Sequence, residues 1–127
     1  MAAPTPVTKS EQSGHNGYTI WLGEWGGTGE FTDAVVVDLS GLTSYTSALK
    51  IVKGYIVASE GISAKLELDA GVDVPIAMLP LASTGRIDFD YSDVPGGGIT
   101  ETGDLLLTTL SAASGDTVFI YVEWKAY

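Results

Sequence analysis

The stretch "ISAKLELDA", residues 62–70, constrains the fold of this chain more than any other. Its apolar side chains alternate with charged ones over several residues: Ile62, Ala64, Leu66 and Leu68 against Lys65, Glu67 and Asp69. A period of two places the two sets on opposite faces of a β-strand. The stretch therefore predicts a strand with one buried and one solvated face, as in an antiparallel sheet.

Further strand candidates are short and separated by turn residues. They are "YTIWL" (18–22), "DAVVVDLS" (33–40), "ALKIVKGYIVAS" (48–59), "PIAMLPL" (75–81), "RIDFDY" (86–91), "DLLLTTL" (104–110) and "TVFIYVEWK" (117–125). The valines of the second run predict a central strand covered on both faces. The prolines of the fourth predict an edge strand. "SAASG" predicts a hairpin between the last two runs, and "DVPGGGITETG" predicts a loop.

About eight short strands with no convincing helix predict an all-β fold. We expect an antiparallel β-sandwich with jelly-roll wiring. The first sixteen residues, "MAAPTPVTKSEQSGHN", have almost nothing to bury, so they predict a flexible, extended N-terminal arm. Residues 17–127 are then a single β-sandwich domain, a size that can bury its own core.

The charge and hydropathy of the chain argue against two classes of partner. Sixteen acidic residues against six basic ones give a formal charge of −10, which repels nucleic-acid phosphates. No uncharged stretch is longer than residues 74–85, which contain two prolines and are too short to span a bilayer. We expect no nucleic-acid partner and no membrane partner. No basic and apolar leader is visible either, so a secretory signal is not expected.

The residue inventory is poor in catalytic groups. There is no cysteine, and the single histidine, His15, lies in the predicted arm, where no rigid partner holds it for acid–base work. No serine lies in a G-x-S-x-G elbow. The pairs Glu24 and Glu30, or Asp88 and Asp90, could in principle cleave glycosides, but a small sandwich leaves little room for a cleft. The prediction is a protein that is not an enzyme, with no catalytic residue and no cofactor.

Two Gly-Asp steps near the C-terminus, Gly103-Asp104 and Gly115-Asp116, raise the question of calcium. "ELDAGVD", residues 67–73, adds three carboxylates but lacks the spacing of a calcium loop. Gly and Asp are also favoured in ordinary turns. The favoured interpretation is structural turns and no metal site.

Tryptophans provide the remaining candidate site. Trp21 and Trp25 lie beside a Gly-rich turn, where an exposed indole could stack on a sugar or enter a partner's pocket. Trp124 shares one strand face with Val118, Ile120 and Val122 and is expected in the core or a subunit interface.

The second half of the chain resembles a known family. "AKLELDAGVDVPIAMLPLASTGRIDFDY", "PGGGI" and "TGDLLLTTLSAASGDTVFIYVEWK", spread over residues 64–125, are similar to small proteins encoded among the head genes of tailed bacteriophages. The shared features are an acidic turn, a Gly-rich loop and two Gly-Asp steps. One departure is that only Lys125 stands where the family pattern has a basic cluster.

The resemblance implies a capsid decoration, or cement, protein. Such a protein is a β-rich homotrimer that binds the major capsid protein on the outer surface of the phage head after synthesis in the host cytoplasm. The expected shell contacts lie in or near the arm: Pro4, Pro6, Val7, His15, Tyr18, Trp21 and Trp25. The alternative function is a carbohydrate- or receptor-binding module that uses Trp21 and Trp25 as stacking platforms.

Overall fold

The computed structural model describes residues 4–80 and 85–127. These residues form ten strands: β1 Val7–Ser13, β2 Asn16–Glu24, β3 Ala34–Val37, β4 Leu49–Ala58, β5 Ser63–Leu68, β6 Val74–Leu79, β7 Arg86–Asp90, β8 Ile99–Glu101, β9 Leu105–Leu110 and β10 Thr117–Ala126. The only helical element of the described part is a 3₁₀ turn at Leu39–Gly41. None of its helices is long and apolar enough to cross a bilayer.

The strands form two antiparallel sheets with jelly-roll connectivity. One sheet has the order β1-β2-β10-β4-β7, with β8 also on β4, and the other has the order β3-β9-β5-β6. The pairs β2–β10, β3–β9, β4–β7 and β5–β6 are all present. They are the four nested pairs that arise when one long antiparallel ribbon is rolled up. The predicted all-β sandwich with jelly-roll wiring is confirmed.

The core lies between the inner faces of the two sheets. On the six-stranded sheet, Ile120 of β10 lies between Trp21 of β2 and Ile56 of β4, and all three are fully buried. The other sheet contributes the alternating residues of the opening stretch, since Ile62, Ala64, Leu66 and Leu68 are all buried. The inner face predicted for Trp124 is also confirmed.

The predicted hairpin between the last two long strands is wrong. β9 pairs with β3 and β5, whereas β10 pairs with β2 and β4 in the opposite sheet. The connection is fixed to a third segment instead, because Gly115 N–H donates to the Trp25 carbonyl and Trp25 N–H donates to the Asp116 carbonyl, both at 2.8 Å. A short connection between two β-prone runs therefore crosses from one layer to the other here.

Edge positions in the four-stranded sheet differ from expectation in one of two cases. β6 is an edge strand, as its prolines predict, but β3 lies at the opposite edge rather than in the centre. Its outward side chain, Val35, is exposed. The segment "DVPGGGITETG", predicted as a loop, contains the short strand β8, which pairs with β4. Leu81, the last residue of the predicted "PIAMLPL" strand, lies outside the described residues.

The segment predicted as a flexible arm, residues 1–16, contains an ordered strand and needs correction. β1 pairs with β2 from Val7 opposite Leu22 to Ser13 opposite Asn16, so the boundary proposed at residue 17 falls inside β2. Backbone pairing and the 2.7 Å bond between Ser10 Oγ and Thr19 Oγ1 hold this polar strand without much apolar burial. Residues 1–3 of the predicted arm lie outside the described part.

Candidate functional site

The outward surface of the six-stranded sheet, here called the outer sheet face, carries three ordered rows of side chains. The register aligns one residue from each of β1, β2, β10, β4 and β7 in every row. The apolar row is Val7, Leu22, Phe119, Val57 and Arg86. The tyrosine row is Lys9, Ile20, Tyr121, Tyr55 and Asp88. The charged row is Glu11, Tyr18, Glu123, Lys53 and Asp90.

Aromatic rings make contact across the three central strands of this face. The ring centroids of Tyr55 and Tyr121 are 5.5 Å apart, and Phe119 stacks on Tyr55 at 6.0 Å. Tyr18 lies 6.2 Å from Tyr121 on the other side. The Arg86 guanidinium lies 4.3 Å from the Tyr55 ring centre, a cation–π distance. The result is a rigid aromatic surface that is only half covered.

Each cation in the three rows has a carboxylate beside it. Nitrogen–oxygen distances are 2.9 Å for Arg86 and Asp88, 3.5 Å for Lys9 and Glu11, and 4.0 Å for Lys53 and Glu123. The hydrogen bond from Arg86 lowers the pKa of Asp88, so that carboxyl stays ionised. Burial, followed by the bond to Glu123, raises the pKa of Tyr121, which keeps its hydroxyl protonated. The face thus has mixed charge even though the chain is strongly acidic.

Two shallow grooves flank the centre of the face and share Tyr121 and Glu123. One has a volume of 370 Å³ and is lined also by Lys53, Tyr55, Asp88 and Asp90. The other has a volume of 310 Å³ and is lined also by Glu11, Asn16 and Tyr18. Both are open to solvent along their length. Such a surface can hold a ligand or a partner but does not exclude water from a reacting group.

The roles predicted for Trp21 and Trp25 as exposed platforms are wrong. Trp21 is 0% exposed and Trp25 is 4% exposed, and both pack edge-on against Phe31. Trp25 Nε1 donates to the Gly29 carbonyl at 2.6 Å. Both indoles therefore belong to the core: Trp21 lies at an inward position of β2, and Trp25 directly follows the last residue of that strand.

The other predicted contact residues divide into three groups. Val7 and Tyr18 lie on the outer sheet face, in the apolar and charged rows. Pro4 and Pro6 are half-buried just before β1. His15 forms the β1–β2 turn, where its ring stacks on Tyr45 with centroids 3.8 Å apart. The partner-binding role of these five residues stays a prediction.

Sequence reasoning missed most of the outer sheet face. Phe119, Tyr121 and Glu123 are the residues between the inward set of "TVFIYVEWK", so the same period-two rule that places Trp124 inward places them outward. Tyr55 carries no comparable signal, because both faces of its strand are largely apolar. Its position next to Tyr121 follows only from the pairing of β10 with β4.

Acidic residues cluster at one end of the four-stranded sheet. Carboxylate oxygens of Asp33, Glu67 and Asp73 lie within 4.8 Å of one another. Partial desolvation, and then the charge of Asp73, raises the pKa of nearby Asp69. Lys65 Nζ lies 3.1 Å from Glu67 and offsets part of this charge. Oxygen ligands of this kind suit calcium, and the expectation of no metal stays a prediction.

Both Gly-Asp steps have structural bonds. Asp104 Oδ1 accepts a hydrogen bond from Leu39 N–H, and Asp116 Oδ2 accepts one from Ala113 N–H, each at 2.8 Å. At Gly103, an added Cβ would overlap the backbone carbonyl oxygen of Asp69 and lie 2.8 Å from its Cβ. Close backbone approach thus explains the first glycine, and a φ of +91° explains Gly115.

Comparison with known proteins does not identify a family. No protein-family model matches the chain, and no curated protein matches it. Several solved structures are weakly similar to the chain, and three of them have the following scores. A cupin domain from Bordetella pertussis Tohama I has a TM-score of 0.39 and 13% identity, covering 99% of each chain. Peruvianin-I, a cysteine peptidase from Thevetia peruviana latex, has a TM-score of 0.34 and 9% identity over 88% of this chain and 51% of its own.

A family 29 carbohydrate-binding module is the third, with a TM-score of 0.33 and 10% identity over 95% of this chain and 70% of its own. These values transfer no activity to this protein. The strand order and pairing define the jelly roll independently of them.

Proposed function

We propose that this protein is a non-catalytic structural protein of a bacteriophage virion. It acts as a capsid decoration protein that binds the major capsid protein on the outer surface of the head and stabilises the lattice. The sequence resemblance over residues 64–125 suggests this class, and it also implies a homotrimer. The outer sheet face is the structural observation that carries the proposal.

The composition of this face suits a protein partner. Protein interfaces have an apolar centre enriched in aromatic residues and arginine, with a polar rim. Val7, Leu22, Phe119 and Val57 form a continuous apolar row across four strands, ending at Arg86. Val7 is 69% exposed and Val57 is 37% exposed, so apolar area is available for burial. The charged row would form the rim on one side.

Binding of this kind stabilises a shell without any chemistry. A ligand that binds only the assembled lattice shifts the equilibrium toward that lattice by mass action. Many identical copies, each with a modest contact, would together raise the temperature at which the shell opens. An open, catalytically poor surface is sufficient for this task.

The test is binding to undecorated, expanded capsids of the source phage. We expect saturable, stoichiometric binding by co-sedimentation and greater resistance of the particles to heat. Val57→Asp should lose binding, because it places a charge in the apolar row. Val72→Asp is the matched control, since Val72 is 86% exposed and lies outside the face.

Two results would contradict the proposal. One is wild-type protein that leaves the capsids unbound at high concentration. The other is Val57→Asp protein that is folded and binds as tightly as Val72→Asp, which would exclude the outer sheet face as the contact surface.

A second candidate function is carbohydrate or receptor-glycan binding at the same face. The observation that favours it is the stacked pair Tyr55 and Tyr121, which lines open grooves that also contain carboxylates such as Asp88 and Glu123. Aromatic rings can stack on sugar rings, while carboxylates accept hydrogen bonds from hydroxyls. Glycan-array binding that is lost in Tyr121→Ala and kept in Tyr127→Ala would support it. An array without hits, together with capsid binding, would eliminate it.

A further inference from the structure

Strand β1 is the longest edge strand of the described residues and contains neither a proline nor a bulge. Natural sheets blunt their edges with prolines, bulges, very short strands or charged side chains, and of these devices β1 has only the oppositely charged pair Lys9 and Glu11. Among the described residues, edge strand β6 contains Pro75 and a register shift, β3 has four residues and a register shift, and β7 has five residues. β1 has seven residues, an unbroken register and no proline.

The outer backbone groups of β1 are free to pair. Within residues 4–80 and 85–127, its backbone makes no hydrogen bond outside the ladder with β2. All its residues except Gln12 are exposed. Alternating N–H and C=O groups along an extended edge are matched in spacing by another extended backbone. The occupant that fits this edge is therefore a β-strand.

The charges of β1 are complementary to those of a second copy of β1 that runs antiparallel to it. In "VTKSEQS", Lys9 and Glu11 lie on either side of Ser10. We propose that two copies of this chain associate through antiparallel pairing of their β1 strands about a two-fold axis at Ser10. Lys9 of each copy then lies opposite Glu11 of the other, which gives two cross-strand pairs of opposite charge. The two six-stranded sheets become one continuous sheet.

Other registers are disfavoured by the same residues. A shift by one residue would place the outward Lys9 and Glu11 beside the inward Thr8, Ser10 and Gln12, and so would mismatch the two faces. A shift by two residues would place either Lys9 opposite Lys9 or Glu11 opposite Glu11. The register centred on Ser10 is the one that is favourable for both charges.

This pairing does not depend on the proposed capsid function. A two-fold contact is closed and self-complementary, so it produces a particle of two chains rather than the three implied by the sequence resemblance. It also leaves the outer sheet face accessible in both copies, since β1 contacts its partner edge to edge. Solution mass separates the two assemblies directly.

The experiment is sedimentation equilibrium of the full chain over a wide concentration range. We expect wild-type protein to show reversible formation of a two-chain species. Lys9→Glu and Glu11→Lys should each weaken it by about tenfold in Kd, because like charges then face each other twice. An equimolar mixture of these two variants should restore association, since each copy now supplies the charge that the other lacks. Lys125→Glu, an equal charge change outside β1, should associate as wild type.

Two outcomes would overturn the inference. The first is a wild-type mass of one chain at the highest concentration, or of three chains that none of the variants alters. The second is a mixture of Lys9→Glu and Glu11→Lys that associates no better than either variant alone. Recovery in the mixture also shows that both variants are folded, since unfolded chains would not pair specifically.

Discussion

The indole Nε1 of Trp124 donates a hydrogen bond to Thr19 Oγ1 at 3.0 Å inside the core. Both side chains are almost fully buried. The same hydroxyl lies 2.7 Å from Ser10 Oγ, so a single threonine connects β1, β2 and β10. A buried polar group in this position is tolerated only because its bonds are made.

Thr19→Val removes this hydroxyl with little change in shape. The Trp124 N–H then stays buried without a partner, so we expect a loss of about 1–3 kcal/mol in the free energy of unfolding. Chemical denaturation followed by tryptophan fluorescence measures it. Thr100→Val, at an exposed position of β8, is the control and should change stability far less. Equal stability of the two variants would contradict the role assigned to Thr19.

Gly54→Ala tests the close approach of β4 to β10. An added Cβ would overlap the Tyr121 carbonyl oxygen and lie 2.9 Å from a ring carbon of Phe89. Overpacking of this kind costs about 1–3 kcal/mol or more, and we expect a clear fall in melting temperature. At Gly26 an added Cβ meets no atom within 4 Å. Gly26→Ala should therefore be neutral or slightly stabilising, and a similar loss in both variants would refute the explanation.

Asp69→Asn should raise the melting temperature at neutral pH. The pKa of Asp69 is raised in the folded state, so the folded protein binds more protons than the unfolded one between the two pKa values. Stability therefore falls as pH rises through that window, and the full penalty is present above it. Below the ordinary aspartate range, where the carboxyl is protonated in both states, the advantage of the amide should disappear.

Asp90→Asn is the matched comparison, and its expected effect on the melting temperature has the opposite sign. Bonds from Ser92 lower the pKa of Asp90, so its contribution is present above the unfolded pKa and is lost as pH falls through the folded one. This variant should have a lower melting temperature than wild type at pH 7. A pair of variants that shift in the same direction would show that the local charge environment is wrongly described.

Acrylamide quenching tests the burial of the tryptophans. Trp21, Trp25 and Trp124 are all buried, so we expect weak quenching of native fluorescence and strong quenching after unfolding in urea. Addition of a glycan or of capsids should leave the native quenching unchanged, because no indole lies on the outer sheet face. Strong quenching of the native protein would restore Trp21 or Trp25 as a surface candidate.

Local patterning was sufficient for the apolar strands, though not for β1 and β8, and for which side chains of β5, β7 and β10 face inward. The alternation of "RIDFDY" predicts Ile87, Phe89 and Tyr91 on the inward face and the charged residues between them on the outward face. The burial agrees, since these three are buried or half-buried and Arg86, Asp88 and Asp90 are exposed. The hairpin prediction at "SAASG" was wrong, since Ser, Ala and Gly permit a hairpin and a crossing between the two sheets equally. The prediction of a central position for β3 was also wrong, because three consecutive valines do not distinguish an edge strand from a central one.

The amino-acid sequence alone therefore determined the class of fold, because strand alternation depends on neighbouring residues within a few positions. Only the tertiary structure decided which strands pair and, with that, which residues form the candidate binding surface. Val7, Leu22, Phe119 and Val57 form one row although they are far apart in the chain. The packing of the two sheets buried Trp21 and Trp25, and the pairing of β10 with β4 placed Tyr55 beside Tyr121 on the outer sheet face, because long-range register, and not residue type, decides which side chains meet.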